Sequence, residues 1–374
     1  MRELENAEPY LVEVPDPQHG LMGSLTNAQL AELLARGAED EPSGTNRHKA
    51  LLRASRAALF WPEEAADVVG QDRPLTELRA VGPWLSGVIG AWLGSAGGEP
   101  PDPVPAPEVR RGFLTLAEVR ATLAEHPEWR AALRADLQMH TTFSDGKASL
   151  REMAATCAEV HGYRQIAVTD HSKGLPIARG MDEARLAVQG EEVRAVNAEL
   201  EAQGADLRVL HGLEMNLSPE GEGDMDPGAL RSLDLVLGAF HSKLRLTDDQ
   251  TERYLAALRN PTFHVLAHPR GRRWGARVGL RADWPTVFEE AAAQGKALEI
   301  DAYPDRQDLD VELLRLAREA GAWISIGTDA HHPRELQSME FGLAAAIRAG
   351  IPRERILNFL PRGELMVWTA SRRA

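Results

Sequence analysis

Histidine and carboxylate side chains recur in this chain at the ends of short apolar runs, and their types bound the chemistry open to it. ADLQMH ends in His140, with Asp145 just beyond, and RQIAVTDH ends in Asp170 and His171. HGLEM carries Glu214, LGAFH carries His241 and VLAH carries His268. LEID ends in Asp301, and ISIGTDAHH holds Asp329 and His331. Imidazole and carboxylate without thiolate suit catalytic Zn2+, Mn2+ or Fe2+ sites rather than a closed structural zinc. So many candidate ligands exceed the needs of one ion and suit two or three. Closely spaced ions activate a bridging hydroxide and stabilise charge on a phosphoryl oxygen during in-line displacement. A lone histidine after a strand is ordinarily a hydrogen-bonded core residue, and Asp170 and Asp329 would serve equally as turn caps. Repetition at successive strand ends is what argues for a shared site. His19, His48, His126 and His161 fall outside the pattern and are expected at the surface. His211 and His264 lie mid-strand and are expected either to back a ligand or to be structural, and His332 to point away from its neighbour.

The elements that must position these residues alternate in type. ADLQMH, RQIAVTD, LRVLHGLEM, DLVLGAF, FHVLAH, ALEIDA and WISIGTD are β-rich, and helical segments such as LREMAATCAEV, TERYLAALR and DVELLRLAREAG separate them. Such alternation implies a parallel sheet, either a closed barrel or a doubly wound layer. In a barrel, every strand terminus would meet on the face where (β/α) barrels build active sites. Ahead of this region, residues 1–24 read as a loosely ordered arm and 25–96 as a helical domain, with Thr26 or Asn27 as its first cap. Residues 97–133 read as a proline-rich linker and a connecting helix, leaving 134–374 as the catalytic domain.

Composition narrows the classes further. A formal charge of -14 disfavours a nucleic-acid coat protein but suits a pocket crowded with carboxylates. Cys157 is the only cysteine, so neither a disulfide framework nor a cysteine zinc cluster is available. The N-terminus is acidic without an apolar core, and no run is long and apolar enough to span a membrane; a cytoplasmic protein without membrane association is expected. Lys173, Arg179, Lys243, Arg245, Arg270, Arg272 and Arg273 follow the candidate ligands on the same loops. Surface cations usually confer only solubility, but on loops ringing a metal site they suit phosphate; Lys173, Arg179, Lys243 and Arg270 are expected to hold it.

DLQMHTTFSDG, VTDHSKGLPIARGM, HGLEMN, GAFHSKL, LAHPRGR and SIGTDAHH resemble, in order, the motifs of the PHP (polymerase and histidinol phosphatase) domain. They look most like the version carried by bacterial family X DNA polymerases. The resemblance covers roughly residues 134–360 and implies a distorted seven-stranded (β/α) barrel with a trinuclear centre. It places His140, Glu214 and Asp329 around one metal, with Gln138 beside them. Glu214 would bridge to a second metal held by His241 and His268, and Asp145, His171 and His331 would hold a third. Gln138 departs from the histidine of many PHP phosphatases and matches the polymerase-associated group.

NRHKALLRASRAAL and LTELRAVGPWLSGVIGAWL are similar to the small all-α, helix-hairpin-helix domain of the same polymerases. Such hairpins bind DNA phosphates through backbone N–H groups. Gly82 would belong to that turn, where Ala80-Val81-Gly82 replaces the usual pair of glycines, and Arg47, Lys49, Arg53 and Arg56 would form a basic helical face. A solvated helix explains that face nearly as well. Lys49 is the sole lysine of this half and a candidate for deoxyribose-phosphate lyase chemistry. The stretch from Gly94 to Asp136 is too short for a polymerase palm and fingers, so a polymerase is not expected. The expected function is a metal-dependent phosphodiesterase acting on DNA ends, gaps or abasic sites, by analogy a 3′–5′ exonuclease. A phosphomonoesterase for a phosphorylated small molecule and a non-catalytic DNA-binding scaffold are the alternatives.

Overall fold

The structure, a computed structural model, describes residues 24–94 and 101–372. Most of the expected N-terminal arm and the first residues of the proline-rich linker lie outside that range. The described residues form two compact units. One runs to Ala58 and takes in Glu64–Val104; the other comprises Leu59–Glu63 and everything from Pro105 onward.

The first unit is helical: α1 (Asn27–Glu39), α2 (Asn46–Ala58), α3 (Ala65–Gly70) and α4 (Pro83–Trp92). Thr26 caps α1 through a reciprocal exchange with Gln29, which satisfies two amides the helix leaves unpaired. The buried Asn27 side chain accepts from the Ala65 amide at 2.9 Å, tying the start of α1 to the start of α3. Pro83 opens α4, where its missing N–H costs no hydrogen bond.

In the second unit, seven parallel strands follow one another in the order of the sequence. They are β1 (Ala135–Asp136), β2 (Gln165–Val168), β3 (Arg208–Asn216), β4 (Leu235–Ala239), β5 (Val265–Ala267), β6 (Ala297–Asp301) and β7 (Trp323–Gly327). β2, β4, β5 and β6 are buried along their whole length, as strands covered on both faces must be, and their apolar runs supply that burial. Between them run α7 (Leu150–Thr156), α8 (Glu183–Ala202), α9 (Pro227–Leu230), α10 (Thr251–Leu258), α11 (Trp284–Ala293) and α12 (Val311–Glu319). Ahead of β1 stand α5 (Leu116–Glu125) and α6 (Pro127–Ala132); α5 lays Val119 and Leu123 into the same core as α13 (Met339–Arg348).

The sheet closes. Beyond the short β1, the His140 amide donates to Ala330 O at 2.8 Å and the Asp329 amide to Gln138 O at 3.1 Å. Lower on the same seam, the buried Asn358 side chain donates to Ala135 O at 2.9 Å and Ile326 O at 2.7 Å, and accepts from the Ile326 amide at 2.8 Å. One amide thus replaces the ladder that a two-residue strand cannot extend. The far end of the barrel is plugged by α14 (Arg362–Ala370), whose Leu365 and Trp368 join Ala135, Leu235 and Ala297 from the strand starts. Burying each side chain of that size stabilises by about 1.5–3 kcal/mol. Among the described residues, no helix is long and apolar enough to cross a membrane.

Candidate metal centre

Glu214, fully buried near the end of β3, is the hub of the open end. Its Oε1 lies 3.0 Å from His241 Nε2 and 2.8 Å from His268 Nε2. Its Oε2 lies 3.3 Å from His140 Nε2, 3.3 Å from His171 Nδ1 and 3.1 Å from Gln138 Nε2. A carboxylate offers about four lone-pair sites. Five nitrogens around one group leave some of these contacts unable to be good hydrogen bonds, and His171 Nδ1 indeed has no hydrogen-bond partner.

Two further clusters adjoin the hub. His140 Nε2 also lies 2.9 Å from Asp329 Oδ1, so one ring nitrogen faces two carboxylates. Asp145 Oδ1 lies 3.2 Å from His331 Nε2 and 3.6 Å from His171 Nε2, which makes the His171 ring a partition between Asp145 and Glu214. His140 stacks between His171 and His331 at centroid distances of 4.4 and 4.3 Å. Three overlapping sets of converging donor atoms result: His140, Asp145, His171 and His331; His171, Glu214 and His241; and His140, Glu214 and Asp329.

The surrounding chain prepares these groups to bind cations. His331 Nδ1 is 2.7 Å from Asp329 O and His241 Nδ1 is 3.1 Å from Asn216 Oδ1. With those nitrogens as donors, both rings turn an Nε2 lone pair inward, the usual arrangement behind metal-binding histidines. Gln138 Oε1 and His140 Nδ1 are buried without partners. His268 and Asp329 adopt positive φ values of 27° and 51°, which side-chain-bearing residues hold at functional sites when the fold enforces them. An orphaned amide oxygen, converging lone pairs and a soft-to-hard donor set of imidazole and carboxylate fit divalent cations.

Electrostatics follow from the crowding. Burial alone would raise the Glu214 carboxyl, but His171 and hydrogen bonds from His140, His241 and His268 hold it well below the usual range. Burial also opposes the charged form of Asp329, yet Arg306 and His140 keep it ionised far below the ordinary carboxylate value. Burial drives the His171 imidazole down to about 3, leaving it neutral. Against the same penalty, its contact with Glu214 lifts His268 to about 10.

The fold therefore brings together Gln138, His140, Asp145, His171, Glu214, His241, His268, Asp329 and His331. Asp170 ends its strand as expected but spends its carboxylate on Thr141, Ser144 and Gln189. Asp301 is buried, its Oδ2 without a hydrogen bond. Among the loop cations, Lys173 pairs with Glu183 at 2.6 Å, and Arg270 pairs with Asp310 at 2.9 Å and Val278 O at 3.1 Å. Arg179 and Lys243 are exposed, with φ of 56° and 54°. Arg306, in the loop after β6, lies 3.4 Å from Asp329 Oδ2. No periodicity or motif marks it in the sequence, only its place a few residues past a strand that ends in an acid. His264 proves structural, its Nδ1 accepting from the Val236 amide at 3.0 Å.

In the helical unit, Lys49, Arg53 and Arg56 are exposed along α2 at spacings that share one face. Arg47 lies 3.8 Å from Glu41 and over the Trp84 ring at 5.3 Å. Gly82 caps α4 in extended conformation, two residues after Ala80 takes a φ of 65°.

Residues 136–272 match the family model described as the PHP domain. Over 227 residues the chain is 38% identical to the DNA polymerase/3'-5' exonuclease PolX of Bacillus subtilis, a match covering 60% of this chain and 39% of that one. The chain thus spans about two fifths of that relative's length. It is 27% identical over 238 residues to the probable phosphatase YcdX of Escherichia coli, covering 61% of this chain and 90% of that protein. A solved histidinol phosphate phosphatase of Lactococcus lactis aligns with a TM-score of 0.43 at 19% identity, over 59% of this chain and 94% of that one.

Proposed function

From a chain that carries a PHP domain, we propose a metal-dependent phosphoesterase that hydrolyses phosphodiesters in DNA, at ends, gaps or abasic sites. The convergence of five nitrogens on the buried Glu214 carboxylate carries this reading. His140, Asp329 and Glu214, with Gln138 beside them, would hold one divalent cation. Glu214, His241 and His268 would hold a second, and Asp145, His171 and His331 a third. Cations of the Mn2+, Zn2+ or Fe2+ kind would supply Lewis acidity at phosphorus-bound oxygens and an activated water.

The protein's own groups divide the remaining work. The Glu214 and His140 side chains are fully buried, whereas Asp145 and His331 keep 34% and 25% of theirs exposed. Substrate therefore enters on the Asp145–His331 side, and solvent is excluded from the Glu214 side. Lys173, Arg179 and Lys243, exposed on the loops after β2 and β4, would attract the polyanion. Arg270 is committed to Asp310 and would hold its own loop in shape rather than a phosphate.

DNA as substrate is supported by the polymerase/exonuclease relative and by the basic face of α2 with the Ala80–Gly82 turn, which together suit phosphate contacts. The relative called a probable phosphatase, 90% of which aligns, supports a small phosphomonoester as the second reading. Purified protein with Mn2+ should shorten a labelled primer–template from its 3′ end, and His171→Ala or Glu214→Ala should abolish this. Turnover of p-nitrophenyl phosphate or histidinol phosphate without any action on DNA would replace the first reading by the second.

A further inference from the structure

Among the described residues, Arg306 is the one lysine or arginine within ion-pair distance of a carboxylate at the centre. Its Nη2 lies 3.4 Å from Asp329 Oδ2 and its Nε 3.8 Å from Asp301 Oδ2. Neither contact has hydrogen-bond geometry, and the side chain retains 33% of its exposure. The guanidinium thus sits against the site with its N–H donors unspent.

Its backbone is held on several sides. Asp301 ends β6 and accepts from the Tyr303 amide at 2.8 Å. Tyr303 O accepts in turn from the Arg306 and Gln307 amides at 2.8 and 2.9 Å. From the loop after β5, Arg272 Nε donates to Arg306 O at 3.0 Å and the Trp274 amide to Asp305 O at 2.7 Å. Arg273 adds a pair with Asp305 at 3.0 Å. The loop that carries this planar, permanently charged fork is thus fixed, and the fork's free donors match a tetrahedral oxyanion.

We propose that Arg306 is a substrate-binding catalytic residue that donates to a non-bridging oxygen of the phosphoryl group. The proposal rests on the phosphoesterase reading of the centre. Asp301 is the positioning residue for it, since its Oδ2, which has no hydrogen bond, faces the Arg306 Nε at 3.8 Å. The competing role is a plain counter-ion, in which Arg306 only offsets the charge of Asp301 and Asp329. Lys173 and Arg270 lack the same opportunity, being paired with Glu183 and Asp310.

The test compares full-length protein with Arg306→Gln and Arg306→Lys after loading with Mn2+. Bound metal is counted by elemental analysis, inorganic phosphate affinity by calorimetry, and kcat and KM on a phosphodiester. We expect Arg306→Gln to keep its metal and to lose phosphate affinity by about 10- to 100-fold, the weight of a charged hydrogen bond. Arg306→Lys should recover part of that loss, since it restores charge without the fork. Loss of metal in parallel with phosphate affinity would assign the counter-ion role instead, and wild-type phosphate affinity in Arg306→Gln would remove any role. If wild-type protein binds phosphate through Arg306 yet hydrolyses no phosphoester, the phosphate-binding role stands, and the catalytic role fails with the phosphoesterase reading.

Discussion

Asp170 holds Ser144 twice, accepting its amide at 3.1 Å and its hydroxyl at 2.5 Å. The same carboxylate takes the amide and hydroxyl of Thr141 at 2.8 and 2.6 Å, and Gln189 at 2.6 Å. Thr141–Ser144 is the whole segment between His140 and Asp145, so Asp170 sets the separation of two candidate ligands without facing the site. Asp170→Asn turns donors against donors at nearly constant volume. It should cost about 2–4 kcal/mol of stability and lower the bound metal. Urea unfolding and metal analysis would show this, and unchanged values would mean the loop is fixed otherwise.

Gly146 makes the complementary point from the backbone. A Cβ there would lie 2.6 Å from His140 C and O and from Thr141 N, all main-chain atoms that cannot swing aside. Gly146→Ala should destabilise by about 1–3 kcal/mol and deplete metal at Asp145 before the fold fails. Thermal unfolding beside metal stoichiometry checks the order of the two losses.

Glu214 should govern the response of stability to metal. A ligand at a hundred times its Kd adds about 2.7 kcal/mol, so Mn2+ should raise the Tm of chelator-stripped protein by several degrees. In Glu214→Gln most of that rise should vanish. The stripped variant should also be less stable than stripped wild type, because His268 loses the buried counter-charge that holds it protonated. An undiminished response to Mn2+ in the variant would dethrone Glu214 as the hub.

Lys296 offers a pH test away from the centre. It is 5% exposed, donates to Phe263 O at 2.5 Å and sits 4.3 Å from the Phe263 ring. Burial pulls its amine from 10.5 down to about 8. Between those values the unfolded chain binds the proton and the folded protein does not, so stability rises with pH across that window. Relative to Lys296→Met, wild type should gain roughly 2–3 kcal/mol from pH 8 to 10.5. Parallel urea-denaturation curves at each pH would decide it, and equal slopes for the two proteins would reject the shift.

The barrel was legible because its parallel strands are buried and therefore written as apolar runs, each followed by a polar terminus. The convergence of the candidate ligand side chains was legible for the same reason: strand ends fix their place before any long-range contact is known. Asp170 and Asp301 show where that logic stops. They have the type and place of ligands, and only loops far along the chain decide that one organises Thr141 and Ser144 while the other faces Arg306. Arg306 itself escaped because a loop's path depends on Arg272 and Trp274, which no local pattern encodes. Arg270 shows the same limit, since its pairing with Asp310 is made far along the chain. The partners of a loop cation depend on distant chain, whereas strand register sets where a terminal side chain lies.

The seam that joins Met139 to Ala330 has a consequence for how the protein acquires its function. His140 and Asp329 lie just beyond the first and last strands, so their meeting waits on the chain between them being in place. Contacts so distant in sequence form late, after shorter loops have closed. A nascent or partly folded chain would present histidines but not the complete centre. Full metal occupancy would then report that the last strand has docked, and ions arriving earlier would find only fragments of the site.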